Sequence, residues 1–329
     1  MKLIGIDLGT SFLKGAVLDL DALAIRRIER QAFPEPVRGL AGAFREFAPA
    51  EIAAATRCLL DRLLRHAPDA AGVVMCGQLH GLVFTTERGE AVSNAINWQD
   101  QRALQPFPGG PGSFFDEVNR RITRQERGEL GNEPRPGLPL CYLFWLAQNN
   151  RLPAKPVVAA SLPNFVIANL CGCLPKSDVT NAFAHGALDL QTLSWHQPVI
   201  RKLGLDGVRW PEIHPQGTVA GEYTVGSRRL PVFMPVGDYH CSQVGAFLDE
   251  GELSVNISTG SAVIQLARGC ELGDFQTRPW FDGRFLKTVT HIPGGRALKA
   301  LVRLLVELAH AQGVKLQDPW DYILAEAAR

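Results

Sequence analysis

Apolar and polar positions alternate from the first residues. Ile4, Ile6 and Leu8 are separated by glycine and aspartate, Gly9, Thr10 and Ser11 break the run, and Phe12 to Leu18 resumes a strand-like pattern. That spacing predicts a hairpin over 4–20. The arrangement returns over 253–266, where an apolar run is interrupted by Ser258, Thr259, Gly260 and Ser261 and resumes at Ala262. Between them, 231–247 predicts a strand that ends at Gly237 and Asp238 and runs into a helix start. Helical spacing is clearest over 49–66, where Ile52, Thr56, Leu59, Leu60, Leu63 and Leu64 share a stripe that excludes Glu51, Arg57, Asp61, Arg62 and Arg65. A second amphipathic helix is expected over 297–312, with Leu298, Leu301, Leu304, Leu305 and Leu308 on one face.

The remaining segments read as connections and cover. A strand over 72–76 delivers Gly77, Gln78, Leu79, His80 and Gly81 at its C-terminal end, where ligands collect in open α/β sheets. Strands over 83–86 and 95–98 are expected around the turn 87–90, ending in Trp98, Gln99, Asp100, Gln101 and Arg102. The Gly- and Pro-rich stretch 105–115 predicts a surface loop. Tyr142, Phe144 and Trp145 in the helical piece 141–148 read as core, and Ser161 as the cap of a helix reaching Leu170.

Composition narrows the classes. The chain has 329 residues with 46% hydrophobic content, enough for a substantial core and two domains. A formal net charge of +1 supplies no general pull toward nucleic acid or an anionic membrane. Seven mostly scattered cysteines predict free thiols in a reducing compartment, with Cys171 and Cys173 thiols beside a turn rather than a metal site. Met1 leads straight into a strand without a signal-like apolar region, so a cytoplasmic location is expected.

The chemistry lies in what interrupts the strands. Asp7 precedes a turn of Gly9, Thr10 and Ser11, where a glycine lets backbone approach an anion and N–H and hydroxyl groups can donate to phosphate. A carboxylate beside phosphate is repulsive unless it holds a cation, as the Mg²⁺ of a nucleotide provides. Two such hairpins suggest two clasps on one phosphate chain. Trp98 with Asp100 combines an aromatic face and a hydrogen-bonding group, a mixture that suits a sugar.

The N-terminal IDLGTS, the GD after a mid-chain strand and the second Ser/Thr/Gly hairpin together resemble the FGGY carbohydrate kinases. The segments Cys76 to Gly81 (CGQLHG), Ile96 to Arg102 (INWQDQR) and Asn256 to Gly260 (NISTG) look most like sedoheptulokinases, with xylulokinases next. The resemblance implies the α/β fold of the actin, hexokinase and Hsp70 type of ATPase, two ribonuclease-H-like domains around a cleft. It implies ATP and Mg²⁺ as cofactors and transfer of the γ-phosphoryl group to a ketose hydroxyl. By the same resemblance Asp238 is the catalytic base, and Gln78, Leu79, His80, Trp98, Asp100 and Asp238 bind the sugar. Asp7, Gly9, Thr10, Ser11, Lys14, Ser258, Thr259 and Gly260 bind the nucleotide phosphates, with Asp7 on the metal. Ser177, Asp178, Asn181 and Ala182 match a stretch expected to shape the domain.

Two departures accompany the match. Tyr239 and His240 follow the catalytic aspartate where family members have other residues. The Gly-rich stretch that holds adenosine is not visible after the 297–312 helix. The expected organisation is therefore a sugar-binding domain over 1–246 and an incomplete nucleotide domain over 247–329, with homo-oligomerisation through the uncovered helix face. The alternative is a sugar-binding or regulatory remnant of a kinase. A chaperone or acetate-kinase-like enzyme of the same ATPase fold would fit the hairpins but not Gln78 to Gly81 or Trp98 to Arg102.

Overall fold

The computed structural model describes residues 1–154, 156–257, 260–316 and 318–329. β1 (Lys2–Leu8) and β2 (Phe12–Asp19) form the antiparallel hairpin that the alternating pattern predicts, with Asp7 opposite Lys14 and Leu8 opposite Leu13, and β3 (Ala24–Ala32), too polar for its pattern to reveal a strand, pairs with β2. The sheet is completed by Val73–Gly77, parallel to β1, and by the hairpin Val219–Val225 and Arg228–Phe233; the short strand Val236–Gly237 lies parallel to Val73–Gly77.

Helix α1 (Pro49–His66) covers one face of the sheet. Pro49 sits in the first turn, where its missing N–H costs no bond, and Ile52, Thr56, Leu59, Leu60, Leu63 and Leu64 are buried. They pack on Ile4, Ile6, Leu8, Leu13 and Val17 in the largest apolar cluster. Close contact fixes Gly15, where a Cβ would stand 2.5 Å from Leu63 Cδ1. A second cluster gathers on the helix Pro139–Gln148, whose Tyr142, Phe144 and Trp145 are buried as expected.

The strands expected around the turn 87–90 do not pair as a hairpin. Val83–Thr85 joins Val158–Ala160 and Ala95–Ile96 joins Glu46–Phe47, with only isolated bridges between the two segments. The loop tip is held elsewhere: Gly89, at φ +74°, lies against the backbone of Ala168, and Asn169 donates to its carbonyl.

The second sheet is antiparallel, in the order Leu253–Ile257, Gly260–Ala267, Phe285–Pro293, Gln276–Pro279. The helix Gly295–Ala311 follows, longer at its start than the pattern indicated, and Pro319–Ala327 adds a helix the pattern did not reveal. Leu298, Leu301, Leu304, Leu305 and Leu308 are all exposed. All seven cysteines are free. Among the described residues no helix is long and apolar enough to cross a membrane.

Candidate functional site

Three parallel strands end on one rung: Leu8 is in register with Gly77, and Gly77 with Gly237. The residues that leave those ends are Gly9 to Ser11, Gln78 to Gly81 and Asp238 onward. Sheet register thus brings together at one edge three segments that lie far apart in sequence.

At the first strand end the turn is built on Gly9. A Cβ there would stand 2.8 Å from the carbonyl oxygen of Phe12, so a larger residue would force the turn open. Asp7 keeps its carboxylate partly exposed, paired with Lys14 Nζ at 3.2 Å and within 3.8 Å of Cys76 Sγ. Lys14 is therefore engaged with the carboxylate rather than directed into the turn. Ser11 is exposed, and its carbonyl accepts from the N–H of Phe33. A cavity of about 400 Å³ includes Asp7, Lys14, Cys76 and Cys241 in its walls.

At the second strand end Gln78 is buried. Its Oε1 accepts from Asn97 Nδ2 at 2.7 Å, and Thr10 Oγ1 stands 3.5 Å away. Leu79 is packed in an apolar cluster with Phe183 and Leu188. His80 adopts φ 68°, a left-handed conformation uncommon for a non-glycine residue, and burial pushes its imidazole down to about 4, so the ring is neutral.

Trp98 is 39% exposed and its Nε1 donates to Thr10 Oγ1 at 3.1 Å, which ties the aromatic segment to the Gly9 turn. Asp100 corrects the expectation of a sugar ligand. It is fully buried, and its oxygens accept from the Arg45 N–H at 2.7 Å, the Arg102 N–H at 2.9 Å, and Arg102 Nε and Nη2 at 2.8 Å each. The carboxylate is taken up in holding the turn that presents Trp98.

Asp238 opens the helix Asp238–Gly245. Burial raises its carboxyl to about 6, against the Tyr239 N–H that donates to it at 2.7 Å; the negative charge of Asp7 adds to the rise and Lys14 opposes it. The two aspartates thus sense each other across the edge. Gly237 cannot be enlarged, since a Cβ would stand 2.8 Å from Leu79 Cδ2 and 2.9 Å from His240 Nδ1.

Thr180, inside the stretch matched at Asp178 and Asn181, and the charged residues Glu133, Arg135 and Arg278 carried little signal in the sequence. Thr180 Oγ1 accepts the Gly237 N–H at 2.9 Å, and Asn181 Nδ2 donates to the Pro235 carbonyl at 2.8 Å. Both are oriented by buried Asp178, which caps the short helix Val179–Ala182. The domain-shaping stretch therefore grips the strand that delivers Asp238. Glu133, Arg135 and Arg278 form a buried charged group beside His80 and Tyr239. Ser258 and Thr259 lie outside the described residues; Gly260 follows them at the head of its strand, in register with Pro293.

Comparison with known proteins agrees with this geometry. The profile of the FGGY family of carbohydrate kinases, N-terminal domain, matches residues 2–236. Sedoheptulokinase of Mus musculus is 26% identical, over 97% of this chain and 72% of that protein. A ligand-bound xylulose kinase from Lactobacillus acidophilus superposes with a TM-score of 0.76 at 20% identity, covering 88% of this chain and 59% of that one. The glycerol kinase of Plasmodium falciparum with ADP gives a TM-score of 0.80 at 18% identity, covering 93% of this chain and 64% of that one. The fold is thus the actin- and hexokinase-like ATPase fold of the sugar kinases, and this chain spans less than two thirds of those two solved structures. As the profile match runs through the Gly9 turn, the Gln78 to His80 segment and the strand leading to Asp238, the chain belongs to the FGGY family of carbohydrate kinases.

Proposed function

We propose that the protein transfers the γ-phosphoryl group of ATP to a hydroxyl of a polyhydroxylated acceptor, with sedoheptulose first and xylulose next among neutral ketoses. Residues 1–246 form the acceptor domain with the first phosphate turn, and 247–329 begin the nucleotide domain. The observation that carries this reading is the shared rung of Leu8, Gly77 and Gly237, which sets the Gly9 turn, the Gln78 to Gly81 segment and Asp238 side by side.

The residues present fit a magnesium nucleotide. Gly9 lets the turn close so tightly that a Cβ would clash with the Phe12 carbonyl oxygen, Thr10 and Ser11 supply hydroxyls in that turn, and Asp7 offers a partly exposed carboxylate already paired with a cation. Bound Mg²⁺-ATP supplies the electrophilic phosphoryl group and the charge that offsets its oxygens. Asp7 holds the metal, directly or through water, while Gly260 with Ser258 and Thr259 forms the second clasp. Asp238 accepts the proton of the acceptor hydroxyl. A carboxyl near 6 is ionised at neutral pH and yet more basic than an ordinary aspartate, which suits that task. His80, neutral and held in its unusual backbone conformation, and Trp98 border the acceptor.

The test is ADP release with Mg²⁺-ATP and a panel of ketoses and polyols. Sugar-dependent release that falls by about a hundredfold or more in Asp238→Asn, with acceptor binding retained, supports the reading. Full turnover in Asp238→Asn removes the proposed base. Acceptor binding without turnover in the unaltered chain assigns it a binding role instead.

A further inference from the structure

The charged group beside the acceptor segment is unbalanced. Glu133 and Arg278 are 1% and 3% exposed and pair at 3.0 Å, and Arg135 pairs with the same carboxylate. His80 Nε2 stands 3.8 Å from Glu133 Oε1 and is neutral, because burial pushes it down to about 4. Burial alone would raise Glu133, but Arg278 and Arg135 outweigh it and hold the carboxyl at about 2. Two guanidinium groups therefore face one carboxylate. Among the described residues Glu133 is the only carboxylate paired with either arginine, which leaves one positive charge without a counter-charge.

The hydrogen bonding is unfinished as well. Among the described residues Arg135 Nε, Arg278 Nε and His80 Nε2 are buried and have no hydrogen-bond partner. The Arg278 guanidinium is clamped 4.7 Å from the Tyr239 ring centroid and 5.5 Å from that of Phe183, so it is held in place without being neutralised. Arg135 and His80 are each 18% exposed, which gives the group an opening. Its position is set by neighbours of the proposed base: Tyr239 follows Asp238, and Leu79, which precedes His80, packs toward Gly237.

An unpaired buried cation is costly, and two cations sharing one carboxylate repel each other. Neutral hydroxyls would satisfy the idle N–H groups but leave the surplus charge. A ligand carboxylate or phosphate would satisfy both, and the planar guanidinium fork matches either anion. We propose that this enzyme's acceptor carries an anionic group, bound by Arg135 and Arg278 at the end away from the hydroxyl that receives phosphate. This rests on the kinase reading only for the reaction, since the charge argument concerns binding, and it ranks an anionic acceptor ahead of the neutral ketoses named above.

The test is calorimetric binding of three six-carbon compounds matched except at C1, D-glucitol, D-gluconate and D-glucitol 1-phosphate, to the unaltered chain. The expected result is that at least one anion binds about ten- to a hundredfold tighter than glucitol. Whichever anion is favoured identifies the carboxylate or the phosphate as the recognised group. In Arg135→Met and Arg278→Met the advantage falls to near unity while glucitol affinity holds. Glucitol, sedoheptulose or xylulose binding as tightly as both anions, or neither anion binding at millimolar concentration, overturns the proposal without any variant. Ketose turnover with no anion preference sinks this inference and spares the kinase, whereas anion binding without ADP release does the reverse.

Discussion

The hydroxyl of Thr180 accepts the backbone N–H of Gly237 at 2.9 Å, so a residue of one short helix holds the peptide that immediately precedes Asp238. Both partners are buried, and a lost acceptor there leaves an N–H unsatisfied. Thr180→Val is expected to cost about 1–3 kcal/mol in a urea titration and to lower kcat while acceptor affinity is kept. Thr180→Ser should restore both. Equal behaviour of the two variants would show that the bond does not position Asp238.

The raised carboxyl of Asp238 fixes an acid limb. Below about pH 6 the group is protonated and cannot accept the acceptor's proton, so kcat/KM falls with pH in that range and levels off above it. In Asp7→Asn one of the charges that raises Asp238 is removed, and the limb in any residual activity moves to lower pH. An acid limb unmoved by that change would dissociate the two aspartates.

Gly9→Ala places a Cβ 2.8 Å from the Phe12 carbonyl oxygen, and both are backbone-bound features that cannot swing aside. The expected loss is about 1–3 kcal/mol of stability, together with weaker nucleotide binding by calorimetry. Unchanged nucleotide affinity would locate the phosphates elsewhere.

Asp100→Asn separates two roles. A carboxylate that binds Arg102 inside the fold loses about 3–5 kcal/mol when its charge is removed, because the guanidinium is left buried beside Glu46 alone. A large fall in the urea midpoint, with the acceptor KM of the folded fraction unchanged, is expected. A raised KM at full stability would instead return Asp100 to the acceptor.

Acid should weaken the fold through histidines. Burial lowers His80 and His185 to about 4 and His240 to about 3, so the unfolded chain binds three protons that the native one refuses. Their contribution is present above the unfolded value near 6.5 and is lost as pH falls from there through the folded values. The slope is at most about 4 kcal/mol per pH unit, relaxing to about 3 where Asp238, shifted the other way, takes up its proton in the native state. Urea midpoints between pH 7 and pH 5 measure it, and a flat profile would contradict the burial of these rings.

Local pattern carried most of the secondary structure near the site. The α1 stripe and the Gly9 hairpin are written in short-range periodicity, and the structure repeats them at the expected residues. The pairing of Val83–Thr85 and Ala95–Ile96 was not legible, since each strand takes a partner distant in sequence. Asp100 shows a second limit. Its neighbours in sequence suggest a polar turn open to ligand, while its actual partners, Arg45 and the folded-back Arg102, are known only from three-dimensional packing. Glu133, Arg135 and Arg278 have no shared motif at all, because Arg278 comes from the second sheet.

The bond from Trp98 Nε1 to Thr10 Oγ1 gives the molecule an optical readout of its own. The indole is half out in water, and its single N–H rests on the hydroxyl of the turn. Whatever claims that hydroxyl changes the polarity and the hydrogen bond felt by the indole, so its emission should shift in colour and quenching as the turn fills. Occupancy of the first clasp can thus be followed as the part of the six-tryptophan emission that Trp98→Phe removes.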